Sequence, residues 1–299
     1  MNIHADRTAK PGVRRRGRRR PLPRRSLCAA LVATSIATAV SATDAHPPYR
    51  FDPRVDGPLT LAGLGLAAGG FLWSESTAPI FATELATLSV SDIPALDGGG
   101  VFELSPSLDT ASTVASYGMV ALAPIGLALA RWDQAFAIGA MYVQALAVAL
   151  GTKDLLKALV RRPRPFLYGS PSAEQLAAGD SLNSFPSGHT TLVFTSAAFA
   201  STVVADLYPD APVRHLVAAG SFVAAGAAAS LRVLAGAHFL TDVIAGAALG
   251  SLIGWLVPVV HRPPRAAAAG AAAGAADTPD AAAIGVRVNG PRLVVSVSL

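Results

Sequence analysis

Six times between residues 59 and 260 the chain runs without a charge for long enough to form a helix: 59–73, 110–130, 135–152, 190–205, 216–231 and 243–260. Several of these runs approach the roughly 20 residues that span a bilayer. Their Ala and Gly content allows close helix contact. Almost no alternating strand pattern occurs before residue 284. With 52% hydrophobic residues, 14% charged residues and a mean hydropathy of +0.46, the composition excludes a disordered or fibrous chain and favours membrane spans over a soluble bundle. The expected fold class is all-α: a helical bundle of five or six transmembrane helices, with the functional site at one end between helices.

The formal charge of +5 belongs to the leader. Residues 1–25 hold ten Lys and Arg against Asp6, so the remainder of the chain is net acidic, and nucleic acid is not an expected partner. The single cysteine, Cys28, excludes a disulfide framework and a cysteine-rich zinc site. The basic run is followed by the uncharged stretch 26–43, ending in Val40-Ser41-Ala42, which reads as a secretory signal, with an uncleaved anchor helix as the alternative. The expected organisation is a leader and signal over 1–45, an N-terminal segment and acidic loop over 46–109, a core over 110–262, and an Ala/Gly linker and tail over 263–299. The tail alternates around Asn289-Gly290, the pattern of a small hairpin or of a weakly ordered end.

Three clusters place polar groups where an apolar helical chain would otherwise have none. In the first, Lys157 and Arg161 share a helical face, while Pro163 and Pro165 stop the helix and leave Arg164 extended, forming a cationic cup. Arg162 and Lys153 read instead as stop-transfer cations at the interface. In the second, the turn Ser184-Phe-Pro-Ser-Gly-His189 leads into an apolar helix whose free N–H groups could receive a phosphate oxygen, or it is an ordinary helix cap. In the third, Arg232 precedes His238 and Asp242, which are spaced i to i+4. The carboxylate could accept from one ring nitrogen and leave the other as an aimed lone pair, or the two could be a structural pair.

These motifs resemble the type 2 phosphatidic acid phosphatase (PAP2) superfamily, which also contains bacterial acid phosphatases and vanadium haloperoxidases. Its pattern is Lys-x6-Arg-Pro, then Pro-Ser-Gly-His, then Ser-Arg-x5-His-x3-Asp. The matching residues are Lys157 with Arg164-Pro165, then 186–189, then Arg232 with His238 and Asp242; Leu231 stands where the family usually has serine. The resemblance implies a metal-independent phosphatase. In it His238 is the nucleophile and forms a phosphohistidine, Asp242 orients it, and His189 acts as acid and then base. Lys157, Arg164, Ser187, Gly188 and Arg232 bind the phosphate. No cofactor and no metal are implied, and vanadate is expected to inhibit.

The expected substrate is a lipid phosphate or diphosphate reached from the membrane, and no protein partner is inferable. The alternatives are a secreted soluble acid phosphatase, a vanadium-dependent haloperoxidase and a non-catalytic phospholipid-binding membrane protein. Arg50, Arg54, Arg131, Arg214, Arg262 and Arg265 fall at the end opposite the motifs, which makes that end cytoplasmic. The expected location is a bacterial-type cytoplasmic membrane with the site facing the periplasm or exterior. A cleaved signal agrees with this only if 59–73, the shortest run, does not cross.

Overall fold

The computed structural model describes residues 49–130, 132–263, 283–289 and 292–298. The leader with Cys28, Arg131, Arg265 and most of the Ala/Gly linker lie outside the described residues. Among the described residues, six long helices form an all-α bundle: α1 (Pro53–Thr77), α3 (Pro106–Ala130), α4 (Ala135–Val160), α6 (Gly188–Leu207), α7 (Val213–Leu234) and α8 (Leu240–Val260). Two short helices, α2 (Ala82–Leu85) and α5 (Ala173–Ala177), lie in the loops before α3 and α6. All six long helices are long and apolar enough to cross a membrane. They leave Leu61, Leu72, Val114, Leu122, Leu216, Val223 and Leu252 exposed. So much bare apolar surface on membrane-length helices is that of a membrane protein.

α6 is the most buried of the six and packs against α3, α4, α7 and α8, while α1 lies along α4. The core holds Ile138, Met141 and Tyr142 of α4 against Phe199 and Val203 of α6. Tyr142 satisfies its hydroxyl within that core, donating to the Val120 carbonyl at 2.8 Å and meeting the Ser196 hydroxyl at 2.7 Å. α6 and α8 touch through Gly246, Gly250 and Gly254, one turn apart on α8, whose missing side chains admit the backbone of α6 at Ser187, Thr191 and Thr195. This contact sets the separation of the two helix starts, where the second and third motifs lie.

Two expectations change. The run 59–73 is only the middle of α1, because Asp52 caps the helix at Arg54 N–H, Pro53 starts it, and buried Asp56 is accommodated by His261 at 2.8 Å. α1 therefore runs from the His261 end to the motif end, where the Ala78 carbonyl accepts from Leu182 N–H at 2.9 Å. Counting uncharged residues alone stopped short of polar residues that the fold pairs. At the C-terminus, Ala283–Asn289 and Arg292–Ser298 pair antiparallel, with Asn289 opposite Arg292, so the tail takes its hairpin form.

Candidate functional site

The ends of α4 and α7 and the starts of α3, α6 and α8 meet at one end of the bundle. α4 stops at Arg161, which adopts a left-handed conformation (φ 47°) and donates from Nε to the Thr77 carbonyl at 3.1 Å. The prolines that follow leave Arg164 extended and buried. α7 ends in a turn through Gly236 at φ +70°, where a side chain would also strike the Glu103 carbonyl. That turn delivers His238 into the interior, and α8 restarts two residues later.

His238 is buried, and its Nδ1 lies 2.8 Å from the Ser184 carbonyl. A carbonyl can only accept, so Nδ1 carries the proton, and the lone pair on Nε2 accepts from Arg164 Nη1 at 3.4 Å. Burial, assisted by Arg164 and Arg232, pulls the ring's pKa down to about 3 against the opposing pull of Asp242. Asp242 Oδ2 stands 3.8 Å from Nδ1, near enough for charge stabilisation and too far for a hydrogen bond. The expected ring-to-Asp242 hydrogen bond is thus taken by Ser184. Asp242 instead accepts from Ser184 Oγ at 2.6 Å, Phe239 N–H at 2.8 Å and Arg162 at 2.6 Å.

His189, in the first turn of α6, meets the Thr113 hydroxyl at 3.3 Å and makes a T-shaped ring contact with Tyr117. Lys153, Lys157, Arg164 and Arg232 all lie close enough to act on it electrostatically. Gly188 packs against Lys153 and Lys157, where a Cβ would stand 3.2 Å from Lys153 Cδ and 3.6 Å from Lys157 Nζ. The Ser187 hydroxyl meets Thr190 at 2.9 Å, and its N–H donates to the Asp242 carbonyl at 3.0 Å. All eight sequence-selected residues therefore stand on the elements that converge at this end, with the Ser187 hydroxyl engaged by Thr190.

The cations are held by acids that sequence reasoning did not select. Arg164 pairs with Asp180 at 2.6 Å and donates to the Asp180 and Ala237 carbonyls. Arg232 pairs with Asp109 and donates to Ser112 at 2.9 Å, while its buried Nε has no acceptor. Lys153 pairs with Asp154, which also lies 3.9 Å from Lys157. Two readings are corrected: Lys153 is buried in the bundle, and Arg162 is tied into the site by Asp242 and Asp97. Neither is an interfacial stop-transfer cation, because both find carboxylates inside the fold. Asp97 is buried; burial favours its neutral form, but Arg162 and the two donors of Thr241 outweigh this and hold its carboxyl below the usual range. Among the described residues, no three His, Cys, Asp or Glu side chains are grouped to hold a metal ion.

Fold and site together define a membrane-type helical bundle with a cluster of acid-paired cations beside a buried histidine. The family model of the PAP2 superfamily matches residues 138–265, which contain all three motifs. Among solved structures, the crystal structure of a transmembrane PAP2 type phosphatidylglycerolphosphate phosphatase from Bacillus subtilis is similar. It is 19% identical, with a TM-score of 0.40, over 69% of this chain and 94% of that one. No curated protein matches the chain.

Proposed function

We propose that the protein is a metal-independent phosphatase that hydrolyses a lipid phosphate or diphosphate through a phosphohistidine. The observation that carries this reading is the arrangement of His238. Nδ1 is pinned by a carbonyl, the lone pair is on Nε2, where Arg164 orients it at 3.4 Å, and burial favours the neutral ring that a nucleophile must be. The match of 138–265 to the PAP2 superfamily supports the same reaction class.

In the first step His238 Nε2 forms the bond to phosphorus as the phosphorus–oxygen bond to the leaving group breaks, and His189 gives that oxygen a proton. In the second, His189 takes a proton from water as the water oxygen attacks phosphorus, releasing phosphate and restoring His238. Asp242 stabilises the positive charge that His238 acquires. Lys157, Arg164, Arg232, Ser187 and the N–H of Gly188 face the spread negative charge of the transferring group. The unpaired Nε of Arg232 supplies a buried donor for one of its oxygens. The apolar helix surfaces favour a lipid substrate over the water-soluble substrates of a secreted acid phosphatase.

The site end faces outward on this reading. The loop 78–105 contains no Lys or Arg, and the arginines of 161–187 (Arg161, Arg162 and Arg164) are each paired with an acid of the fold, whereas Arg50, Arg54, Arg214 and Arg262 mark the other end. The test is phosphate release by the purified protein in detergent from a panel of lipid phosphates and diphosphates, with trapping of acid-labile phosphoprotein. Wild type is expected to turn over and to trap phosphate, Asp242→Asn to keep a small residual rate, and His238→Ala to lose both signals. Retention of more than about a tenth of the rate in His238→Ala would overturn a covalent mechanism.

A further inference from the structure

We propose that Arg162 and Asp97 form a clamp that positions the catalytic aspartate Asp242 from outside the phosphate cradle, which makes Arg162 a positioning residue. The inference rests on the phosphatase reading above. The guanidinium of Arg162 is spoken for on both arms. One nitrogen donates to Asp242 Oδ1 at 2.6 Å and to Thr241 Oγ1 at 2.7 Å, and the other to Asp97 Oδ2 at 2.7 Å. The Phe239 ring covers its face, 4.4 Å from the guanidinium carbon. Arg232, by contrast, keeps a buried donor unpaired. Arg162 thus has its donors on carboxylates and a hydroxyl, where it orders charge already in the protein.

Asp97 completes the clamp. It is buried, stands in the loop between α2 and α3, and accepts from Thr241 N–H at 3.0 Å and Thr241 Oγ1 at 2.6 Å. It therefore fixes Arg162 and the first turn of α8 together, with Asp242 the next residue in that turn. The clamp matters because Asp242 makes no hydrogen bond to His238: its Oδ2 stands 3.8 Å from Nδ1. Without that bond, the aim of the carboxylate is set by its other donors. Ser184 and Phe239 N–H hold one oxygen, and the Oδ1 donor is Arg162. Loss of Arg162 leaves Oδ1 buried and unpaired, and free to turn away as His238 becomes cationic.

The experiment compares wild type, Arg162→Ala, Arg162→Lys, Asp97→Asn and the Arg162→Ala/Asp97→Asn double variant as full-length protein in detergent, reading kcat and KM for phosphate release from whichever lipid of the panel, phosphatidate included, wild type turns over fastest. Arg162→Ala is expected to lose about 10- to 100-fold in kcat, the scale for removing a group that orients a reactive one, with KM within about twofold. Millimolar guanidinium should restore part of that kcat, and Arg162→Lys should fall between Ala and wild type. Asp97→Asn should lose less, and the double variant should be no worse than Arg162→Ala, because the two act as one unit. A rise in KM with kcat intact would make Arg162 a substrate ligand and overturn the clamp. Independent, multiplying losses without guanidinium rescue would make it merely structural and overturn it as well. If Arg162→Ala does not fold, the Lys and Asn variants decide by the same kcat-against-KM split. A wild type silent on every lipid of the panel would remove the functional reading and the clamp together, whereas an active wild type with an indifferent Arg162 removes only the clamp.

Discussion

Gly246→Ala tests the link between helix packing and chemistry most directly. A Cβ at this position would lie 2.7 Å from the Ser187 carbonyl oxygen, 3.1 Å from Thr191 Oγ1 and 3.2 Å from Thr190 Cβ, where ordinary contact begins at 3.4 Å. The nearest atom is backbone and cannot rotate aside, so α6 and α8 must part by about 0.7 Å. Overpacking of this kind costs roughly 1–3 kcal/mol, offset in part by about 1 kcal/mol of helix propensity gained on replacing glycine. The fold should therefore survive with a modest loss of thermal stability. Activity should suffer more, because a misplacement of about 1 Å can cost roughly 100-fold, so 0.7 Å corresponds to about 25-fold in kcat. Gly250→Ala, one turn deeper, would collide with the Thr191 carbonyl and should reverse the ranking, losing more stability and less activity. Gly226→Ala, which meets nothing within 4 Å, is the control for propensity alone. Thermal unfolding in detergent and phosphate release measure the two quantities. Gly246→Ala turning over within twofold of wild type would refute the argument that this contact sets the site.

Three further outcomes follow from the site. Activity should persist in chelators and be inhibited by vanadate, because the proposed cradle consists of Lys157, Arg164, Arg232 and backbone N–H groups; a requirement for added magnesium would count against it. Burial depresses the His238 pKa from 6.5 to about 3, so its contribution to stability is fully present above about pH 6.5 and is lost as pH falls toward 3, by a few kcal/mol at most. Unfolding midpoints should then drop more steeply below pH 6.5 in wild type than in His238→Ala, and parallel profiles would contradict a buried neutral ring. For sidedness, in a Cys28→Ser background a cysteine at Ser89 or Ser172 should react with an impermeant thiol reagent in intact cells and one at Ala211 only after permeabilisation; the reverse pattern would place the site in the cytoplasm.

What the sequence makes legible is whatever a helix end fixes locally. Lys157 with Arg164, the turn at 184–189 and His238 with Asp242 are each set by a few residues of spacing, and the structure brings them to one end of the bundle. The partners that hold them are distant in sequence. Asp97 lies 65 residues from Arg162, Asp109 lies 123 from Arg232, and Ser184 reaches His238 through a backbone carbonyl that no side-chain pattern records. That is why Arg162 reads as an interfacial cation in the sequence and stands in the structure as the donor on Asp242 Oδ1. The i to i+4 spacing of His238 and Asp242 had the same weakness. It put both on adjacent turns, but the histidine lies in the bend before α8, ahead of the extended cap residue Phe239, so the ring turns to Ser184 instead.

The length of α1 also bears on the leader. With six crossings, residue 49 and the site stand on opposite faces of the membrane. Tyr49 and Arg262 both reach Asp206, and Arg50 N–H reaches the His261 carbonyl, so the start of the described chain is fastened to the end where α6 and α8 finish. A signal cleaved outside, six crossings and an outward-facing site cannot all hold, because the first leaves residue 46 outside and the other two require it inside. Six crossings rest on helix lengths, and an outward site rests on a 78–105 loop without Lys or Arg and on the pairing of Arg161, Arg162 and Arg164 with acids at that end. The cleaved signal rests on a small-residue pattern at 40–42, which an Ala-rich apolar run produces readily. Labelling at Ser172 and Ala211 separates them: a Ser172 reached in intact cells with a protected Ala211 leaves six crossings and a cleaved signal as the pair that cannot both stand.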